Sequence, residues 1–219
     1  MNFLKMLSGR RRAGAYRFRP VRADDADRFQ AFVTRLSPAA RRLRFHGAVK
    51  ACSPALLKAL TQPDPAHHQA WVAVRQGAGE ELIVGEGRFV ACEGRFEAEL
   101  AIAVADDHCG QGIGDRLLRT VLAGAARADV PVLFADVLEG NSRMFALLQR
   151  HGFEAGYSTH IAAGLVRWRR RVQPFGTGPL RWRCHGRAGP GQDGAKVGGV
   201  LAGASFARLQ PPEPPESTP

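Results

Sequence analysis

The alternation of apolar and polar positions divides the chain into elements before any single residue is interpreted. "AYRFRPVR" (15–22) alternates, with Tyr16, Phe18 and Val21 apolar, and predicts a strand. In "ADDADRFQAFVTRL", Phe29, Phe32, Val33 and Leu36 fall at i, i+3, i+4 and i+7, the apolar stripe of a helix. Asp24, Asp25 and Asp27 open it, where carboxylates suit the positive end of the helix dipole. "SPAARRLRF" and "SPALLKAL" each begin a short helix, with Ser37 and Ser53 as caps and Pro38 and Pro54 at the first helical position. "TQPDPAHH" predicts a surface loop.

Three strands follow. "AWVAV" (70–74) and "ELIVGEGRFVA" (81–91) come first, and "RFEAELAIAVA" (95–105) returns after a Glu93-Gly94 turn, predicting a hairpin. In the returning strand Phe96, Ala98, Leu100, Ile102 and Val104 share one face; Glu97, Glu99, Ala101 and Ala103 share the other. A helix with Ile113, Leu117, Leu118, Val121 and Ala125 on its buried face comes next. "PVLFADVL" (131–138) is a nearly continuous apolar run, as in a strand covered on both sides. "NSRMFALLQRHGF" predicts a helix closed by Gly152, and part of "IAAGLVRWRR" (161–170) a last strand. The patterning stops at Val172. The pattern therefore divides the chain into a basic arm (1–14), one folded domain (15–172) and a Gly-, Pro- and Arg-rich tail (173–219). The tail is too polar to bury a core and predicts disorder, apart from a short helix compatible with "VGGVLAGASFARL".

Composition narrows this picture. A chain of 219 residues with 45% hydrophobic content is a globular protein with one core of ordinary size. No run reaches the roughly 18 apolar residues of a membrane span. In "MNFLKMLSGRRR" the basic cluster follows the apolar residues, the reverse of a secretory leader, so the expected location is cytoplasmic and no membrane partner is expected. The four cysteines form no CxxC pair and suggest reduced thiols, with no metal site. Asp64, His67 and His68 lie too close in sequence to converge on one ion and are assigned to the surface loop. The formal charge of +11 suggests nucleic acid until its distribution is examined. Residues 20–166 carry 16 basic and 17 acidic side chains, so the excess lies in the two ends. Trp168, Trp182 and Phe175 among arginines can stack on bases, but a final strand and a solvated tail account for them without nucleic acid.

The chemistry concentrates in "VADDHCGQGIGDRLLRTVL" (104–122). Gly110, Gly112 and Gly114 lie between a strand and a helix. The first N–H groups of a helix have no intrahelical partner, and glycines let several of them converge on one anion. The dinucleotide fingerprint needs glycine where the chain has Asp115, and the nucleoside-triphosphate loop GxxxxGK[ST] is absent. The diphosphate of an acyl-CoA is the third ligand that such a loop serves.

"AELAIAVADDHCGQGIGDRLL" resembles the signature of the GNAT N-acetyltransferase superfamily, whose loop reads Q/R-x-x-G-x-G/A. Gly112 and Gly114 fill both glycine positions, while Cys109 stands at the Q/R position and Gln111 is a candidate to replace its contacts. "NSRMFALLQRHGFEAG" is similar to the family's later segment, with Asn141 at the usual asparagine. "RLSP…RRLRF" and "AELAIAVAD" are similar to bacterial protein-lysine acetyltransferases. The resemblance covers about 15–172 and implies an α+β GNAT fold. That fold is a mostly antiparallel twisted sheet of six or seven strands flanked by about four helices, with the fourth and fifth strands splayed apart.

The resemblance also implies a reaction and a site. Acetyl-CoA would be the acyl donor and a primary amine, a protein lysine above all, the acceptor. A small-molecule amine, or a degenerate acyl-CoA-binding module without catalysis, are the alternatives. Glu99 would be the general base that takes the amine's proton. Backbone groups at Ile102, Ala103 and Val104 would pair with the pantetheine arm. Cys109, Gly110, Gln111, Gly112, Ile113, Gly114 and Asp115 would hold the diphosphate, and Asn141 would contact CoA from the facing helix. The acceptor would be met by segments 37–68 and 155–162. Leu148 stands where many members carry a tyrosine that protonates the departing thiolate. Cys109 near a helix N-terminus would have a lowered pKa, with His108 beside it, although covalent catalysis is not what the family implies.

Overall fold

A computed structural model describes residues 16–47, 49–76, 79–92, 96–156 and 164–173. The basic arm, the Glu93-Gly94 turn, most of the predicted acceptor segment 155–162 and nearly all of the tail, with Phe175 and Trp182, lie outside them. Seven strands form one sheet: β1 (Tyr16–Pro20), β2 (His68–Gln76), β3 (Glu81–Ala91), β4 (Glu97–Val104), β5 (Val132–Leu138), β6 (Glu154–Gly156) and β7 (Leu165–Arg171). Their order is β1-β2-β3-β4-β5-β7-β6, antiparallel throughout except for the parallel pair β4–β5. Among the described residues there are five α-helices where about four were expected: α1 (Ala26–Arg35), α2 (Pro38–Phe45), α3 (Pro54–Thr61), α4 (Ile113–Arg127) and α5 (Ser142–Arg150).

The helix starts form as their sequences dictate. The Ser37 and Ser53 hydroxyls accept from the N–H groups of Ala40 and Leu56, each with proline just inside. The stripe on α1 buries Phe29, Phe32 and Val33, and Leu36 continues it. Asp25 does not act as a solvated dipole partner. It is fully buried, bound at both oxygens by the Arg19 guanidinium at 2.7 Å, and it accepts from the Arg22 N–H. That clamp ties the end of β1 to the start of α1.

The helices cover both faces of the sheet. On one side α4 and α5 bury Leu118, Val121, Leu147 and Leu148 against Trp71, Phe89, Leu133 and Trp168. Contact there is close: a Cβ on Gly124 of α4 would stand 2.2 Å from the Trp71 ring. On the other side α1, α2 and α3 bury Phe29, Phe32, Phe45 and Leu60 against Val72, Val74 and Ile83. Both faces of β4 are therefore used, as two-sided covering requires. Phe96 departs from its predicted apolar face and is 68% exposed just before β4. β6 is three exposed residues held by the β7 backbone alone. The run "PVLFADVL" is not wholly apolar in function either. Asp136 faces Arg167 across the β5–β7 ladder and takes a bidentate pair at 2.6 Å. No helix among the described residues is long and apolar enough to cross a membrane.

Candidate active site

The site begins where two strands part. Glu97, Ala98 and Glu99 pair with Val132, Leu133 and Phe134, and there the β4–β5 pairing ends. From Leu100 to Val104, β4 keeps its ladder with β3 and has no partner on the β5 side. The cleft so opened is lined by Glu99 and Ile102 of β4, Asp136 of β5, Asn141 before α5, and Arg44 and His46 at the end of α2. Ala103 turns instead to the α1 side of the sheet, and Val104 packs beside Ile113 and Leu117.

The glycine loop lies beyond the end of β4. Gly110 and Gly112 have φ of 75° and 79°, the left-handed region that favours glycine. Gly112 is the N-cap of α4. A Cβ at either position would meet nothing within 4 Å, so the loop faces open space. No N–H from Gly110 to Asp115 donates to another described backbone group. A run of free N–H groups at the positive end of a fifteen-residue helix fits a diphosphate. Gly114 faces inward, at ordinary contact distance from Val104 and Leu147.

The loop's side chains are engaged with the protein. Asp115 accepts from His151 at 2.7 Å and pairs with Arg119 at 2.9 Å, and the His151 bond foremost holds its carboxyl below the usual range. Gln111 folds back: its Oε1 accepts from the Tyr16 hydroxyl at 2.6 Å and its Nε2 donates to the Asp107 carbonyl. His108 is buried, bonded to the Tyr16 hydroxyl at 2.8 Å and turned away from Cys109. Cys109 corrects an expectation. Its thiol is directed at the Val104 carbonyl at 3.9 Å, and desolvation pushes it up, against the pull of Arg143. A reactive thiolate needs the opposite shift.

Glu99 is partly buried on the face of β4 that looks toward α2, and its carboxylate takes no hydrogen bond from the described residues. Burial pushes it up to about 8. The Asp136 carboxylate adds to that, and Arg44 and Arg167 pull the other way. This is not a solvated strand-face glutamate; its proton affinity lies where a general base works at neutral to mildly alkaline pH. Asn141 faces the same cleft, but its Oδ1 is occupied as the cap of α5, accepting from Met144 N–H at 3.1 Å. Leu148, at the tyrosine position, is wholly buried in the α4–α5 core.

One charged cluster escaped the sequence reading. Arg44 donates through Nε to Glu86 at 2.5 Å, and Arg88 donates to the other Glu86 oxygen at 2.7 Å. Arg88 also reaches His68 Nε2 at 3.0 Å. All four side chains are buried, so His68 does not belong to the surface loop that holds Asp64 and His67. Burial holds the His68 imidazole down to about 3, hence neutral. The signal was present: two charges, Glu86 and Arg88, stand in the interior of a strand otherwise apolar after Glu81, and Arg44 lies in "RRLRF". Trp168, read as a stacking candidate, is buried on β7 against Phe145.

Comparison with known proteins agrees with this arrangement. Residues 16–154 match the family described as acetyltransferase (GNAT) domain. An acetyltransferase of Pseudomonas aeruginosa is 36% identical over 135 residues, covering 62% of this chain and 73% of that protein. The acetyltransferase Pat of Mycolicibacterium smegmatis is 32% identical over 136 residues, or 61% of this chain, which spans only 40% of Pat. The GNAT domain of PAT from S. lividans superposes with a TM-score of 0.65 at 24% identity, covering 72% of this chain and 90% of that domain. The splayed strands, the open glycine loop and these matches lead to one conclusion: the chain belongs to the GNAT acetyltransferase family and is an acyl-CoA-dependent N-acetyltransferase.

Proposed function

We propose that the protein transfers the acetyl group of acetyl-CoA to the side-chain amine of a protein lysine, with Glu99 as general base. The observation that carries this reading is the Glu99 carboxylate, without a hydrogen-bond partner among the described residues, in the cleft and with its pKa pushed up to about 8. The free edge of β4 supplies backbone groups for the pantetheine arm and an N–H for the thioester oxygen, and the loop from Gly110 to Asp115 receives the diphosphate. A lysine amine has an ordinary pKa of about 10.4 and enters protonated. Glu99 takes that proton, the freed nitrogen attacks the thioester carbon, the C–S bond breaks to leave CoA thiolate, and the second proton on the attacking nitrogen passes to solvent or to the thiolate, leaving the amide. The buried Leu148 offers no acid to the sulfur. None is required in principle, since a thiol of pKa about 8.5 leaves as the thiolate.

The lysine assignment is supported by the likeness of "RLSP…RRLRF" and "AELAIAVAD" to protein-lysine acetyltransferases. Mass spectrometry of cells expressing the wild type or Glu99→Gln tests it. Acetyl-lysines that depend on the wild type and vanish with the variant are expected. Equal protein acetylation in the two, with free amines acetylated in vitro by the wild type alone, overturns the lysine acceptor.

A further inference from the structure

The buried Arg44–Glu86–Arg88 cluster holds two cations against one carboxylate, because its fourth member, His68, is neutral. One positive charge is left over in a place shielded from water. Glu86 is bound by both arginines, whereas Nη1 and Nη2 of Arg44 are buried, over the Phe45 ring, and have no hydrogen-bond partner among the described residues. Arg44 lines the same cleft as Glu99. The register explains why the two approach. Arg88 stands across from Ala101 and Glu86 from Ala103, so small residues leave room on the face of β4 where Glu99 also points. Of the two carboxylates lining the cleft, Asp136 is already paired with Arg167, and Glu99 forms no ion pair among the described residues.

We propose that Arg44 is a positioning residue for Glu99, its guanidinium held by Glu86 so that the free nitrogens supply the countercharge of the ionised Glu99 carboxylate and fix its aim. The inference rests on the reading of Glu99 as general base. The other charged groups facing Glu99 act around this one. Asp136 from β5 disfavours the carboxylate, Arg167 from β7 favours it, and His46 from α2 is held toward its neutral form by burial. A nearby opposite charge lowers a carboxylate's pKa, and in a desolvated cleft the effect is strengthened.

The test is the acid limb of the pH profile of kcat/KM for peptide acetylation. Arg44→Gln leaves Glu86 paired with Arg88 and the cluster neutral; the limb should move upward by about one pH unit. Glu86→Gln leaves two uncompensated cations; the limb should move downward. A purely structural role would lower the rate at every pH and leave the limb in place. A limb unmoved in whichever variant folds, or moved the same way in both, overturns the proposal. Glu99→Gln separates the two readings: if it retains wild-type activity and limb, the base assignment fails; if it removes both, only the role of Arg44 is in question.

Discussion

The two ends of the cleft are built on opposite principles. At the proposed donor end the groups assigned to the ligand are backbone N–H groups, and the side chains around them bind one another: Gln111 to Tyr16, Asp115 to His151. At the proposed acceptor end the assigned groups are side chains, brought from α2, β3, β4, β5 and β7 and buried with their charges unevenly matched. Backbone groups at a helix start have a fixed dipole that no change of pH removes. Buried side-chain charges can be tuned by their neighbours, so the protonation chemistry belongs at the acceptor end. Asp106 joins the two regions, accepting from the Ser37 N–H and hydroxyl at 2.9 and 2.8 Å and so tying the start of α2 to the turn before the loop.

The largest expected effect separates them outright. Glu99→Gln removes the base and keeps the shape, so kcat should fall by about 10²–10⁴. Binding of acetyl-CoA, measured by calorimetry, should stay within about twofold of wild type, because the donor end is untouched. Gly112→Val is the converse. A β-branched residue is strained at φ 79° and sets methyl groups in the open space before the loop. With one or more charge-assisted bonds lost, at about 1.5–3 kcal/mol each, the Kd for acetyl-CoA should rise by about tenfold or more. Turnover at saturating donor should change far less. Equal effects of both variants on Kd and kcat would erase the distinction between the two ends.

A smaller effect should appear in pH dependence. Glu99 must be ionised to accept a proton, so with its pKa near 8 activity should rise with pH through that range and fall below it. Asp136→Asn removes the carboxylate that raises Glu99 and releases Arg167, which lowers it. Both changes favour the ionised form, and the limb should move down by roughly one unit. A limb that stays in place would mean that the Asp136–Arg167 pair does not act on the base, and one that rises would reverse the sign assigned to it.

The same contrast governs what the sequence could reveal. The strand–loop–helix unit was legible because its parts are local: a strand, three glycines and a helix stripe within nineteen residues. The serine-proline helix starts were legible for the same reason. The acceptor end depends on register. Asp136 meets Arg167 only because β5 and β7 align them, and residues 31 apart carry no shared local pattern. Arg44 and Glu86 are 42 apart, and nothing in either neighbourhood indicates that the guanidinium ends without a second partner. Glu99 was found through the resemblance, but its environment was not. On pattern alone it is a polar residue on a strand face, and only the packing of α2 over that face desolvates it. β6 escaped for another reason: three exposed residues of an edge strand have no apolar alternation to read.

Asn141 stands where the two regions meet, and the smallest expected effect concerns it. Its Oδ1 caps α5, and its Nδ2 donates to no described residue, which leaves that N–H₂ available to the donor substrate at the cleft. Capping and binding make different demands on the side chain. Asn141→Ser keeps an oxygen in reach of the Met144 N–H and loses the amide; Asn141→Ala loses both. The alanine variant should therefore be less stable by about 1 kcal/mol, read from thermal unfolding, while the serine variant stays near wild type. Loss of one neutral hydrogen bond should weaken acetyl-CoA binding by about three- to tenfold in both. If the serine variant binds as wild type, Asn141 serves the helix alone, and the donor end is held by backbone groups without a side chain from α5.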